Sequence, residues 1–439
     1  MKLKKHMEGN SYHTWSAWQK ISFRFFFVFL ILQMLSENFL GNLFGGSLII
    51  WRLGEKIFVR PCLWLNNHIF HFNYIPQTWT TFSGALHTIR DIVYLLLTCC
   101  VSVAWMVVDK TRPNYDKLHY WFSQFAIMIL SCITFAYGVL KLFPVQMNSP
   151  SFIDLHRAVG DLRPFDLLWA TFGYGKPYQT FTGFFELSGA VLILFNRTRV
   201  AGLLIIISVM LNVIILNYTY QIGVLITSFY ILLLALFLLA PYVRQLFYFF
   251  FTRQSVNLSQ NKYSPVKNLK TRSLKIIGII LISSSFIANA RFAYSIYAKR
   301  EDTNHSRKYS LVKNYMVNND TLRLIENDTI CWRFWSERVT DGKRFVTIGT
   351  MKPGITQTYI IEEDNVNHHL TLHPFNHGDT SSLNFNYTED INKNDWCLEG
   401  VIKQKQIKVE LQRINPDTIM NLLKTKRTII TFDDESNNQ

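Results

Sequence analysis

Glu186 is the residue whose position points most directly to chemistry, because it is a carboxylate inside an apolar run. The run covers about residues 179–195 and carries no other charge. A charge at the centre of a membrane helix costs about 2.5–3.5 kcal/mol on insertion scales, so it requires a partner or a role. Gly183 and Gly189 lie three residues before and after it and allow a neighbouring helix to approach closely.

Lys141 is the expected partner, since it ends the preceding apolar run at a similar predicted depth. Tyr137 lies one helical turn earlier on the same face, and Asn212 falls at a comparable depth in a later run. One interpretation is a polar ligand pocket open to the outer side of the membrane. The alternatives are a structural ion pair between Lys141 and Glu186, or a Lys141 side chain that extends to the membrane interface.

The loop 144–178 contains polar groups that could cover such a pocket, and its apolar positions predict a short helix across the mouth of the bundle. The candidate lid residues are His156, Arg157, Asp161 and Trp169. A single histidine among scattered carboxylates also fits solvated loop charge without acid–base chemistry.

Cysteine spacing argues against a membrane thiol oxidoreductase, because no Cys-x-x-Cys pair occurs. Cys331 and Cys397 are the two cysteines of the C-terminal region, and an oxidising compartment would permit a disulfide between them. The alternative is that each is a free buried cysteine. His369, His373 and His377 have helical spacing, but the alternating residues around them predict a strand, so no metal site is expected.

Composition divides the 439-residue chain into two regions. Long apolar runs separated by short basic loops extend to about residue 297, and the rest is polar and alternating. Such runs can cross about 30 Å of hydrocarbon as helices, which excludes a soluble enzyme and predicts a polytopic α-helical membrane protein. The seven predicted spans are about 21–35, 90–108, 120–142, 179–195, 199–217, 221–240 and 274–292.

The net charge of +15 follows from basic residues beside these spans, so membrane placement explains it better than nucleic-acid binding. Four basic segments alternate with less basic connections, so all four fall on the same side of the membrane. Basic loops favour the cytoplasm, which predicts a cytoplasmic N-terminus and an extracytoplasmic C-terminal region. The segment 47–60 has charges on one helical face and bulky apolar residues on the other, which predicts an interfacial helix on the outer side.

The C-terminal region has seven or eight short alternating runs, which predict an all-β sandwich or barrel. Asp341-Gly342 between two runs predicts a hairpin turn. The sequence thus predicts five segments. They are N-terminal spans (1–119), a four-helix core (120–251), a cytoplasmic linker (252–273), a last span (274–297) and an extracytoplasmic β domain (298–439).

Residues about 120–245 resemble the DoxX family of bacterial four-helix membrane proteins. The resemblance rests on Tyr137-Gly138-Val-Leu-Lys141-Leu, Phe184-Phe-Glu186-Leu-Ser-Gly189, Arg197-Thr-Arg199, Ala201-Gly202-Leu-Leu and Met210-Leu-Asn212. The whole chain is similar to longer DoxX-like proteins of Bacteroidetes type. The resemblance implies a multi-pass protein of the bacterial inner membrane; some family members are small subunits of quinone-linked oxidation or partners of redox proteins.

No cofactor motif or catalytic motif is found, so the leading hypothesis is an accessory or scaffolding membrane protein. Its bundle would present the β domain to an extracytoplasmic protein partner, a redox protein or a ligand. The first alternative is a membrane subunit of a quinone-linked oxidoreductase, with quinone bound near Glu186 and Lys141. The second is a small-solute transporter, although no inverted repeat is evident.

Overall fold

The structure is a computed structural model. This structure describes residues 14–35, 60–72, 84–150, 159–252, 255, 269–305, 308–322, 324, 328–340, 342–352, 355–375, 381–390 and 395–414. The predicted interfacial segment 47–60 lies outside these residues apart from Arg60, which begins a short helix.

The N-terminal part of the described chain is helical. The α-helices are α1 (Ala17–Met34), α2 (Arg60–Leu65), α3 (Gly84–Val108), α4 (Asp116–Leu142), α5 (Pro164–Tyr174), α6 (Lys176–Leu192), α7 (Arg199–Thr219), α8 (Leu225–Leu239), α9 (Val243–Thr252) and α10 (Leu269–His305). Single turns of other helix types cover Asn66–Phe70, Val159–Asp161 and Ala240–Tyr242. Ser16 caps α1 and forms a reciprocal capping box with Gln19, which explains why the helix begins before the predicted residue 21.

Each predicted span coincides with one of these helices, namely α1, α3, α4, α6, α7, α8 and α10. Five segments of the described chain are long and apolar enough to cross a membrane, and they indicate a multi-pass membrane protein. They are Thr88–Val108, Asp116–Leu142, Arg199–Thr219, Leu225–Thr252 and Thr271–Lys299. Helix α1 carries Lys20 and Arg24, and α6 has only 17 residues, so these two crossings stay predictions.

Small residues bring the central helices of the bundle together. Gly138 of α4 packs against Leu187 of α6, where a Cβ atom on the glycine would lie 3.0 Å from the leucine side chain. Gly202 of α7 similarly faces Ile193. The Ser131 hydroxyl donates a 2.7 Å hydrogen bond to the Ala190 carbonyl across the α4–α6 contact. Close packing of this kind, with an occasional interhelical hydrogen bond, holds helices together in lipid.

A polar cluster joins α1, α3 and α4 at the end of the bundle where α1 and α4 begin. Arg24 is buried in α1 and donates to the Tyr115 hydroxyl at 2.7 and 2.9 Å and to the Asp109 carbonyl at 2.7 Å. The Tyr115 hydroxyl in turn donates to the Asp109 carboxylate at 3.0 Å. Hydrogen bonds from Nε and Nη2 make a buried guanidinium tolerable there.

The C-terminal part is a β-barrel, which settles the predicted choice between sandwich and barrel. The strands are β1 (Lys308–Val317), β2 (Asp320–Leu322), β3 (Trp332–Thr340), β4 (Lys343–Thr350), β5 (Thr356–Asp364), β6 (His369–Pro374), β7 (Leu383–Asp390), β8 (Asp395–Ile402) and β9 (Lys405–Ile414). Strand β1 and strands β3 to β9 pair antiparallel in sequence order, and β1 also pairs with β9. Eight strands therefore close the barrel, and the short β2 pairs with β1 as an additional strand.

Alternation along the strands fills the barrel with side chains. Trp335, Phe385 and Leu372 are among the most buried residues of this region, and they form one cluster with Tyr315 and Trp396. A closed eight-stranded barrel has an interior just wide enough for side chains to fill. Contact with other molecules is consequently left to the outer wall and the loops.

The predicted hairpin between β3 and β4 is present, with Thr340 opposite Lys343. Gly342 has a φ of +73°, the left-handed conformation that a two-residue hairpin turn requires. Asp341, the other turn residue, lies outside the described residues.

The chain divides into two compact units that differ from the predicted domain boundaries. One unit comprises Met1–Gln146 and Pro177–Ser295, and the other comprises Met147–Lys176 and Ile296–Gln439. The segment that carries α5 therefore groups with the barrel rather than with the bundle.

Candidate functional site

Lys141 and Glu186 form a buried ion pair between α4 and α6. The Lys141 ammonium group donates to Glu186 Oε1. The lysine side chain is 8% exposed and the glutamate side chain is 1% exposed. The charge inside the apolar run is thus neutralised by its predicted partner, as a low-dielectric environment requires.

The two residues meet because glycines precede each of them by one helical turn. Gly183 faces α4, and a Cβ atom on it would lie 2.7 Å from the Leu142 nitrogen and 2.8 Å from Lys141 Cβ. Any larger residue at position 183 would separate the helices. The expected role of Gly183 in close helix approach is therefore confirmed, whereas Gly189 faces Ile206 of α7.

One oxygen of the Glu186 carboxylate accepts no hydrogen bond from the described part of the chain. Oε2 is buried, and none of the described residues gives it a hydrogen bond. Tyr137 lies within electrostatic reach of Glu186, on α4 one turn before Lys141. A carboxylate with one occupied and one vacant oxygen can accept a hydrogen bond from a ligand or carry a proton, and it can also be a purely structural partner.

Asn212 does not join this site in the way the sequence predicted. It lies on the exposed face of α7, beside Leu211 and Ile215. The buried amide of this helix belongs to Asn217, which donates a 3.0 Å hydrogen bond to Ser228 of α8. The 3.6-residue repeat explains the difference, because Gly202, Ile206 and Met210 form the buried face and position 212 falls off that face.

A second buried charge cluster, not predicted from the sequence, joins α1, α3 and α8. Arg90 pairs with Asp91 at 3.2 Å, and Gln33 of α1 reaches the same carboxylate oxygen at 3.5 Å. Tyr230 of α8 lies beside this carboxylate, and Arg90 stacks over the Tyr94 ring with 5.8 Å to its centroid. The sequence did contain a signal for this cluster, because Arg90 and Asp91 are adjacent charges at the start of an apolar run.

The lid prediction is only partly covered by the structure. His156 and Arg157 lie outside the described residues, and Asp161 ends a single helical turn. Trp169 lies on α5 and stacks on Phe165 with 4.1 Å between ring centroids. Within the described residues this loop carries α5, which begins at Pro164 because proline favours the first turn of a helix. The predicted helix positions 152–158 lie outside the described residues.

Of the two alternatives for Cys331 and Cys397, the structure has the free cysteines and not the disulfide. Cys331 is fully buried in the barrel core. Cys397 lies between Trp396 and Leu398, which both point into the core, so its side chain points outward. Burial raises the pKa of Cys331 to about 11. The sequence could not show that the two cysteines face opposite sides of the barrel wall.

The histidines of β6 belong to a ladder of polar pairs on the outer wall. His373 contacts Glu362 at 3.0 Å and Ser382 at 2.9 Å, and His369 contacts Asn386 at 3.1 Å. His377 lies outside the described residues. Within the part of the chain that the structure describes, no group of three or more His, Cys, Asp or Glu side chains could hold a metal ion.

An aromatic patch lies on the outer wall beside this ladder. Phe345 and Phe375 contact each other edge to face at 5.7 Å, and Arg338 lies over the Phe345 ring at 5.4 Å. Ile360 is directly opposite Phe345 in the register of β4 and β5. We call Arg338, Phe345, Ile360 and Phe375 the wall patch. Its combination of aromatic rings and arginine is the one enriched at protein interfaces.

Comparison with known proteins adds one relative. The chain is 33% identical over 105 residues to the protein named "Uncharacterized protein YwoB" of Bacillus subtilis (strain 168). The match covers 24% of this chain and 66% of the relative, which is just under two thirds of that protein. No family model and no solved structure matches the chain. The relative's name states no activity.

Proposed function

We propose that this protein is a membrane scaffold that holds an eight-stranded barrel at the membrane surface and presents its outer wall to a protein partner. The observation that carries the proposal is the closed and filled barrel, which leaves the outer wall as the surface for recognition. The wall patch is the binding surface in this proposal. The bundle has the role of anchor, of DoxX-like type, in a bacterial inner membrane with the barrel on the extracytoplasmic side.

The composition of the wall patch supports a protein partner. Phe375 is 52% exposed, although aromatic side chains are costly to leave in water. The Arg338 guanidinium over Phe345 provides a charged group beside the rings. Fully buried aromatic and arginine side chains carry most of the binding energy at protein interfaces.

The geometry of the bundle supports an anchoring role. Two of its buried charged side chains are neutralised by ion pairs, Lys141 with Glu186 and Arg90 with Asp91. Glycines set the distance between the helices that carry the first pair. An anchor needs this kind of rigid and neutralised packing.

Photo-crosslinking of the full chain in its native membrane tests the proposal. A photoreactive phenylalanine analogue replaces Phe345 or Phe375 in the wall patch. The matched control replaces Val401, which is 58% exposed on β8 and lies outside the patch. We expect one discrete crosslinked species, common to positions 345 and 375 and absent at 401. Identical products at all three positions would contradict a specific binding surface.

A substitution that removes an aromatic side chain from the wall patch should weaken binding of the partner. Phe375→Ser should lower the yield of that crosslinked species from position 345 while the amount of folded protein is unchanged. Val401→Ser is the control for a polar substitution on the wall. An unchanged crosslinking yield with Phe375→Ser would show that Phe375 does not contribute to the interface.

A quinone-linked oxidoreductase subunit is the second candidate, favoured by the vacant Oε2 of Glu186. The hydroxyl of a bound quinol could donate a hydrogen bond to this oxygen. Solvent extraction of the purified protein should then recover quinone in a fixed ratio, and Glu186→Gln should lower this ratio. Extraction that yields no quinone from the parent protein would contradict this candidate.

A further inference from the structure

A groove of about 980 Å³ opens between α1, α4, α8 and α9 at the end of the bundle that contains Arg24. It is distinct from the Lys141–Glu186 pair, which lies where α4 ends. Its walls differ in chemistry: one part is apolar, and another part carries arginine side chains. A groove with both chemistries matches a molecule with a hydrocarbon part and a charged part.

The apolar part is formed by three helices. Phe23 and Phe26 come from α1, Ile127 from α4, and Leu233 and Leu236 from α8. These side chains would contact a hydrocarbon chain as favourably as the bilayer does, so lipid can enter without loss of apolar contact. The groove is partly open, which leaves the far end of such a chain free to extend into the bilayer.

The charged part is formed by Arg199 and Arg244. Arg199 is only 8% exposed, and its Nε donates to the Ile193 carbonyl at 3.2 Å. In the described ranges no carboxylate forms an ion pair with either arginine. The carboxylate of the groove, Asp116, accepts a 2.8 Å hydrogen bond from Trp15 instead. A buried guanidinium without a carboxylate is costly unless an anion satisfies its remaining N–H groups.

We propose that this groove binds an anionic phospholipid, whose phosphate contacts Arg199 and Arg244 and whose acyl chain lies along Phe23, Phe26 and Leu236. Guanidinium groups match phosphate oxygens in geometry and charge. A free phosphate ion would satisfy the arginines but would leave the apolar wall unused. Basic pockets between membrane helices are a known mode of anionic lipid recognition.

The test measures lipid retained by the full-length protein in nanodiscs. The discs contain phosphatidylglycerol in phosphatidylcholine, and retained phosphatidylglycerol is counted by native mass spectrometry. Arg199→Gln and Arg244→Gln remove one groove cation each. Arg197→Gln is the matched control, because Arg197 is an exposed cation of the same basic turn and does not line the groove.

We expect each groove variant to retain about fivefold less phosphatidylglycerol, the equivalent of about 1 kcal/mol for one basic side chain at a membrane surface. Arg197→Gln should change retention by less than about twofold, because an exposed cation contributes only to the general surface potential. Equal losses for Arg197→Gln and Arg199→Gln would overturn the site. Inorganic phosphate should not displace the lipid; displacement would overturn the lipid assignment in favour of a phosphate site.

Folding is measured separately for each variant. Phosphatidylglycerol should raise the thermal unfolding temperature of the parent and of Arg197→Gln, since a ligand of the folded state stabilises it. If Arg199→Gln does not fold, Arg244→Gln decides the matter, because Arg244 lies on the exposed start of α9. A parent protein whose stability is the same with and without phosphatidylglycerol would overturn the proposal.

Discussion

Gly183 faces the backbone of Gly138 so closely that a Cβ atom on Gly183 would lie 2.7 Å from the Gly138 carbonyl oxygen. Lys141 and Glu186 each follow one of these glycines by three residues, so the contact of the two backbones brings the two charges together. The distance between α4 and α6 is thus set by residues without side chains.

Gly183→Ala should destabilise the bundle. The added methyl group meets backbone atoms, which cannot move as a flexible side chain could, and such overpacking costs typically about 1–3 kcal/mol. Gly278→Ala in α10 is the control, because a Cβ atom there has no neighbour within 4 Å. Thermal unfolding in detergent should show a lower midpoint for Gly183→Ala alone. An unchanged midpoint would mean that α4 and α6 are further apart than described.

Lys141 and Glu186 should be mutually dependent. Glu186→Gln or Lys141→Met leaves one charge buried without its partner, which costs roughly 3–5 kcal/mol. The double variant should recover much of this loss, since no isolated charge remains. The amounts of folded protein in membranes of the four versions give the coupling. Single variants as abundant as the parent would show that the ion pair makes no contribution to stability.

Much of the bundle could be predicted because its signals are local. The seven apolar runs of the sequence each coincide with a helix of the structure. Glu186 and Lys141 were found because a charge in an apolar run has few explanations. Most of the barrel strands, but not β1 and β8, were equally visible, since alternation with period two is itself a local pattern.

The features that were missed depend on rotation and on distant partners. Asn212 and Asn217 lie on the same helix, and only the packing against α8 decides that position 217 is buried. Cys331 and Cys397 are both next to a tryptophan, yet one faces inward and the other outward. Closure of the barrel through the pairing of β1 with β9 is also a long-range event that no local pattern encodes.

Tyr115→Phe should weaken the end of the bundle near α1. The hydroxyl accepts two hydrogen bonds from Arg24, and its loss leaves buried donors unsatisfied at a cost of about 1–3 kcal/mol. Tyr218→Phe is the control, because Tyr218 is 76% exposed on α7. Limited proteolysis should cleave the α3–α4 connection faster in Tyr115→Phe alone. Equal cleavage rates for the two variants would exclude a stabilising role for the Tyr115 hydroxyl.

Cys331 should resist alkylation in the folded protein. Burial raises the pKa of its thiol to about 11, so the thiolate is scarce at pH 8 and becomes more abundant only as pH rises toward that value. Burial also raises the pKa of Cys397, but this thiol is partly exposed. Variants that each retain one of the two cysteines should show fast alkylation of Cys397 and alkylation of Cys331 only after unfolding.

The same two residues test the absence of the disulfide. The intact mass of the purified chain, measured without alkylation, should be equal before and after reduction. A mass increase on reduction, together with protection of both thiols in the unreduced chain, would contradict the structure at this point.

The C-terminal region should lie outside the cytoplasm, because the basic connections on one side are followed by an odd number of predicted crossings. A reporter that is active only in the cytoplasm should be inactive when fused after Gln439. Seven crossings and the five strongest crossings both give this result, because both numbers are odd. An active reporter would mean that just one of the two weaker helices, α1 or α6, fails to cross. A second fusion, after Gln146 between α4 and α6, identifies the helix: the reporter there is active when only α1 fails to cross and inactive when only α6 fails.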